Sequence, residues 1–133
     1  MGHAVRRLLL DTHALLWWWS DDPSLPAAAR EAIADPESRV FVSAASAWEM
    51  ATKMRLGRLA AHQGIVSRFH ELVAADAFGH LPVTYRHGLH AGGYPVDHRD
   101  PFDRMLAAQA ELESLTLVTS DTAFADFPVD LLW

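Results

Sequence analysis

Val5-Arg6-Arg7-Leu8-Leu9-Leu10-Asp11-Thr12-His13-Ala14-Leu15-Leu16-Trp17-Trp18-Trp19 sets a short aliphatic run, one acid and a helix-compatible stretch in direct succession. The run up to Leu10 has the length and composition of a buried strand. Residues 12–20 then read as a helix that stops at Asp21-Asp22-Pro23. The acid between Leu8-Leu9-Leu10 and Ala14-Leu15-Leu16 is anomalous, because a carboxylate is costly to bury unless it is paired or metal-bound. Arg6 and Arg7 before the apolar run loosely resemble the start of a leader. Asp11 and His13 interrupt that run, and no small-residue cleavage site follows. Nothing approaches the ~20 apolar residues of a membrane helix. The expectation is a soluble, cytoplasmic protein with no membrane partner.

The strand-then-helix unit recurs downstream. Residues 39–42, 81–84, 115–119 and 129–132 read as further strands, with Pro82 confining the third to a sheet edge. Helices are expected over residues 24–34, with Ser24 as cap, over 43–56, closed by Gly57, and over 65–77. Residues 85–91, closed by Gly92-Gly93, and 101–112 complete the helices, and 122–125 form a helical turn. This alternation predicts an α/β chain of βαβ units with a mostly parallel sheet and helices on both faces. One domain over residues 1–133 is expected. In such sheets ligands bind beyond the carboxyl ends of the strands.

Composition narrows the chemistry. The chain has 133 residues, 50% hydrophobic and 21% charged, which excludes a disordered tail. With 0 cysteines, a disulfide scaffold, a thiolate zinc site and a cysteine nucleophile are excluded together. Seventeen acids against 11 bases give −6, which argues against coating nucleic acid by bulk charge but leaves room for a local basic rim. Setting aside the four acids considered next leaves 13 against 11, or −2.

Asp11 follows the first strand and Asp121 follows the fourth. Glu49 lies early in the helix after the second strand, and Asp103 lies in the first turn after Pro101, with Asp100 three residues before it. Converging carboxylates repel unless a divalent cation holds them. An oxygen-only donor set suits Mg²⁺ or Mn²⁺ and points to phosphodiester hydrolysis by a metal-activated water. Each acid also fits a helix cap. Ser46-Ala47-Trp48-Glu49 matches a capping box, Glu49 can pair with Lys53, and Asp100-Pro101-Phe102-Asp103 reads as cap, first-turn proline and dipole acid. Asp11, and Asp121 or Ser120, can cap the segments that follow them. Capping alone does not require the acids to meet.

Five pieces in series carry a family resemblance: Leu9-Leu10-Asp11-Thr12-His13-Ala14-Leu15-Leu16-Trp17, Val42-Ser43-Ala44-Ala45-Ser46-Ala47-Trp48-Glu49, Lys53 with Gly57 and Leu59, His98-Arg99-Asp100-Pro101-Phe102-Asp103-Arg104 with Ala107-Ala108-Gln109-Ala110, and Leu117-Val118-Thr119-Ser120-Asp121. Together they resemble the PIN-domain ribonucleases, and more closely the VapC-type toxins of toxin–antitoxin pairs. The resemblance implies an α/β/α sandwich with a five-stranded parallel sheet. It implies a Mg²⁺- or Mn²⁺-dependent endoribonuclease with RNA as substrate and a cognate VapB-type antitoxin as partner. It assigns the catalytic acids to Asp11, Glu49, Asp103 and Asp121, with Asp11, Asp103 and Asp121 on the metal. Asp100 competes with Asp103 for the third place. The family's Thr-x-Asp polar group falls on Thr119 and Ser120. The weak third strand around Pro82 is the departure from the pattern.

Thr12, His13 and His98 stand beside the acids, where they orient water or phosphate or hold a ligand by a hydrogen bond. Lys53 and Arg104 are read as phosphate contacts or as ion pairs with site carboxylates. Arg55 and Arg58 either extend a basic rim or are solvated charge. Successive residues of a helix diverge by about 100°, so Trp17-Trp18-Trp19 cannot all enter one core. At least one indole is expected to be exposed or covered by a partner, suggesting a homodimer or antitoxin contact there. A catalytically silent RNA- or protein-binding module is the alternative, disfavoured by the presence of all four acids. A phospho-acceptor receiver would need a lysine after the late strand, and an aspartyl-phosphate phosphatase a second Asp where His13 stands.

Overall fold

A computed structural model of the chain describes residues 5–133. Its centre is a parallel sheet of five strands in the order β3-β2-β1-β4-β5. The strands are β1 (Arg7–Leu10), β2 (Arg39–Ser43), β3 (Gly79–Leu81), β4 (Thr116–Val118) and β5 (Leu131–Leu132). The helices among the described residues are α1 (Thr12–Trp19), α2 (Ala27–Ala34), α3 (Ala44–Arg55), α4 (Gln63–Ser67), α5 (Phe69–Ala75), α6 (Tyr85–Gly93) and α7 (Pro101–Leu112). This is the five-stranded α/β sandwich that the sequence leads one to expect.

Alternation along the strands builds two cores. Leu8, Leu10, Val40 and Val42 pack on one face with Leu15 of α1, Ile33 of α2 and Met50 of α3. Leu9 and Leu117 pack on the other with Leu106, Ala107 and Ala110 of α7 and with Phe124 and Phe127. The chain winds outward from β1 through β2 to β3, then crosses back to lay β4 and β5 on the opposite side of β1. The reversal opens a crevice beyond the carboxyl ends of β1 and β4, where open α/β sheets bind their ligands.

Several boundaries differ from expectation. The stretch 65–77 is two helices, broken at Arg68, and it ends with Ala77 at φ 55 rather than at a glycine. Ser24 does not cap α2; its amide is turned back onto Asp22 Oδ1 at 2.8 Å, and Pro26 takes the cap position. Helix α3 begins at Ala44, with Ser43 Oγ accepting from the Ala45 amide at 2.9 Å, so Ser46 is interior and the capping box with Glu49 does not form. Strand β3 sits at the sheet edge as expected but earlier in the chain. Pro82 has no amide for the ladder, and Thr84 caps α6 by accepting from the His87 amide. Gly79 gives the Phe41 ring its place: a Cβ there would lie 2.7 Å from Phe41 Cδ1, and the ring would have to shift. Gly57 closes α3 at φ 74, as expected.

The tryptophan run is covered by the chain itself. Trp18 and Trp19 donate their Nε1 protons to Asp76 Oδ2 at 3.0 and 2.8 Å. Trp17 packs against Trp133 with centroids 5.7 Å apart. All three indoles are partly buried on the first core, because the α4–α5 unit and the C-terminal residue fold over α1. The run therefore supplies no argument for a homodimer or other partner.

Candidate active site

Asp11 leaves β1 and becomes the N-cap of α1, its Oδ1 accepting from the Ala14 amide at 2.7 Å. Asp121 follows β4 and caps the 3₁₀ turn Thr122–Asp126 through the Ala123 amide at 2.9 Å. Asp100 caps α7, accepting from the amides of Phe102 and Asp103 at 2.9 and 3.1 Å. The capping reading of these three acids is therefore satisfied. A cleft of about 150 Å³ at the carboxyl edge of the sheet is lined by Asp11, Glu49, Asp100, Asp103 and Asp121 together. Thr12, His13, Lys53 and Ser120 complete its lining.

Glu49 is held from two sides. The Thr12 hydroxyl donates to Oε1 at 2.6 Å, and Lys53 Nζ lies 2.7 Å from Oε2. This is the ion-pair reading of Lys53. Thr119 is buried behind Asp11 and accepts from the Asp121 amide at 3.0 Å, fixing the turn that carries Ser120 and Asp121. His98 stands one layer back, with Nε2 3.0 Å from Asp103 Oδ2. His13 is exposed and rests against Trp17 with centroids 5.6 Å apart.

Arg104 behaves as neither reading anticipated. Its guanidinium faces away from the acids and donates to the carbonyls of Ala91, Val96, His98, Gly92 and Tyr94. It is a strut between the end of α6 and the loop that delivers His98: the carbonyls of Ala91 and Gly92 in α6 and of Tyr94, Val96 and His98 in the loop converge on its planar fork. A second unanticipated feature lies beneath the cleft. Ser43 donates to Gln109 Oε1, Gln109 Nε2 donates to the Pro82 carbonyl at 3.2 Å, and His87 Nε2 donates to Glu113 Oε2 at 2.9 Å. The sequence signal for this network was a lone amide within Ala107-Ala108-Gln109-Ala110.

Crowding leaves an electrostatic signature. Burial pushes the Asp11 carboxyl above its usual range, against the opposing pull of the Thr119 hydroxyl and the Ala14 amide. Burial likewise raises Asp103 to about 6, with the negative charges of Asp100 and Glu49 adding to it and His98 opposing. As the side chains lie, no three His, Asp or Glu residues among those described are arranged to hold a metal ion. Asp11, Asp100 and Asp121 each give one oxygen to a helix or turn amide and keep the other free of any amide, whereas both oxygens of Glu49 are engaged. The donor set itself fits a hard cation. It is all oxygen, it is gathered in one cleft, and two of its members carry charge that burial opposes.

Comparison with known proteins agrees with this architecture. The model of the PIN domain family matches residues 8–129. The fold is similar to that of VapBC2 from Rickettsia felis bound to a DNA fragment from its promoter, at 14% identity and a TM-score of 0.66, covering 96% of this chain and 98% of that one. It is also similar to FitAcB from Neisseria gonorrhoeae, at 20% identity and a TM-score of 0.60, covering 95% and 96%. A toxin–antitoxin complex from Klebsiella pneumoniae gives 15% identity and a TM-score of 0.58 over 95% and 96%. Among curated proteins no sequence matches. With the match running from β1 through the last core phenylalanines, the chain belongs to the PIN domain family.

Proposed function

We propose that the protein is a single-domain, divalent-metal-dependent endoribonuclease and the toxin of a toxin–antitoxin pair, acting in the cytoplasm on RNA phosphodiester bonds. The observation that carries this reading is the gathering of five carboxylates in one cleft at the switch point of the sheet. The toxin–antitoxin character of the solved structures it resembles supports the second half of the proposal and points to a VapB-type antitoxin as the partner. No helix among the described residues is long and apolar enough to cross a membrane.

Asp11, Asp103 and Asp121 would hold Mg²⁺ or Mn²⁺, with Asp100 as the alternative third acid. Once bound, such an ion supplies charge neutralisation at the scissile phosphate and a more acidic water. The chain's own residues do the positioning. Thr12 and Lys53 orient Glu49 toward the cleft, His98 steadies Asp103 at Oδ2, and Thr119 with Ser120 sets the turn under Asp121. His13 and Lys53 lie on the rim, where a phosphate would approach.

The test is cleavage of single-stranded RNA with added Mg²⁺ or Mn²⁺, repeated in EDTA. Asp11→Asn and Asp103→Asn are expected to lower the rate at least ~100-fold while the fold persists. Full activity in Asp11→Asn would remove the metal-site assignment. No cleavage with either ion would favour a binding module instead.

A further inference from the structure

Trp48 is 62% exposed, yet its indole packs edge-on against Phe102 with ring centroids 4.6 Å apart. Trp48 precedes Glu49 on α3, and Phe102 precedes Asp103 on α7. One residue along a helix turns a side chain by about 100°. With the two acids facing the cleft, the two rings emerge together on its flank, one helix contributing each. Phe102 is partly buried and backs the indole, so the pair is a supported surface rather than a loose side chain.

Two basic side chains lie close by. Lys53 lines the cleft itself, with its ammonium 2.7 Å from Glu49 Oε2. Arg99, on the loop leading to Asp100, has a side chain 93% exposed and only a long 3.9 Å approach to Asp97. An open aromatic face beside an acidic cleft, with an exposed arginine one residue before Asp100, fits single-stranded nucleic acid: bases stack on rings while a cation meets the backbone.

Resting on the nuclease reading above, we infer that Trp48, backed by Phe102, is the stacking platform for one unpaired nucleobase next to the scissile phosphate. The platform places that base and so sets which phosphate reaches the acids. In duplex RNA both base faces are already stacked, so the ring pair selects unpaired segments. Purines offer more stacking area than pyrimidines, so the platform favours a purine at the position it holds.

Cleavage of a random-sequence single-stranded RNA pool with Mn²⁺, followed by sequencing of the cut ends, tests this. The full chain is compared with Trp48→Ala and Trp48→Phe, and the mass of each is taken by sedimentation. Trp48→Ala is expected to raise KM about tenfold with kcat little changed, and to erase a purine bias beside the cut. Trp48→Phe is expected to restore both. A parent enzyme that cleaves, with Trp48→Ala unchanged in KM and cut-site bias, overturns the platform and leaves the nuclease reading standing. A parent that cleaves no RNA overturns both. Loss of a dimer in Trp48→Ala with KM unchanged overturns the platform too, and assigns the rings to contact with a second copy of the chain.

Discussion

The Thr12 hydroxyl donates to Glu49 Oε1 over 2.6 Å, tying the first residue of α1 to the middle of α3. With Lys53 on the other oxygen, Glu49 has no freedom to swing away from the cleft although it is a flexible side chain. Thr12→Val removes the donor and leaves a buried carboxylate oxygen unpaired. We expect about 1–2 kcal/mol of lost stability in urea unfolding. RNA cleavage should fall about tenfold, because Glu49 is no longer fixed. Thr12→Ser keeps the hydroxyl and should retain both properties.

The acids are at odds with folding when no cation is present. Burial holds Asp103 at about 6, above its ordinary 3.8, so the folded chain keeps a proton that the unfolded chain releases between those values. Stability in metal-free buffer therefore falls as pH rises through that window, and Asp11, shifted the same way by burial, adds to the fall. Asp103→Asn carries no such charge. Allowing for solvent screening of a group whose side chain is 20% exposed, it should gain about 1 kcal/mol at neutral pH, or roughly 3 °C in melting temperature. The gain should vanish near pH 4, where the parent is protonated too. Adding Mn²⁺ should reverse the order, raising the parent's melting temperature and not the variant's. Scanning fluorimetry at two pH values, with and without Mn²⁺, reads all of this.

The alternation of short aliphatic runs with helical stretches was enough to assign the architecture, because strand and helix periods are local properties of the chain. The acids were legible for the same reason: Asp11 is a charge between two apolar runs, and Asp100 and Asp121 sit where helix starts need an acceptor. What could not be read were contacts made at long range. The indoles of Trp18 and Trp19 find Asp76 across 58 and 57 residues, and no spacing rule connects them. Arg104 was misjudged because a guanidinium near acids suggests an ion pair, whereas its five acceptors are carbonyls at the end of α6 and in the irregular loop after it. The third strand was misplaced because Thr84 has a better use as a helix cap than as a strand residue.

Gln109 should prove a structural keystone rather than a site residue. It is fully buried and joins Ser43, which caps α3, to Pro82 at the end of β3. Gln109→Leu matches its volume closely but leaves the Ser43 hydroxyl and the Pro82 carbonyl without their partner. We expect a loss of about 2–3 kcal/mol in urea unfolding. Activity per folded molecule should change far less than in Thr12→Val, since no oxygen of the cleft is touched.

Arg104→Lys separates a strut from a phosphate contact. A lysine keeps the charge but cannot reproduce a planar fork that reaches Ala91, Val96, Tyr94 and His98 at 2.7–3.0 Å. The loop over residues 94–100 should then open to limited proteolysis at lower protease concentration than in the parent. His98 rides on that loop and steadies Asp103, so kcat should fall, by about tenfold. A residue that neutralised substrate phosphate would also flatten the dependence of activity on salt when its contact is weakened. Arg104 contacts only carbonyls, so the salt slope of Arg104→Lys should match the parent's. A flattened slope with an intact loop would place the guanidinium on RNA and not on the loop.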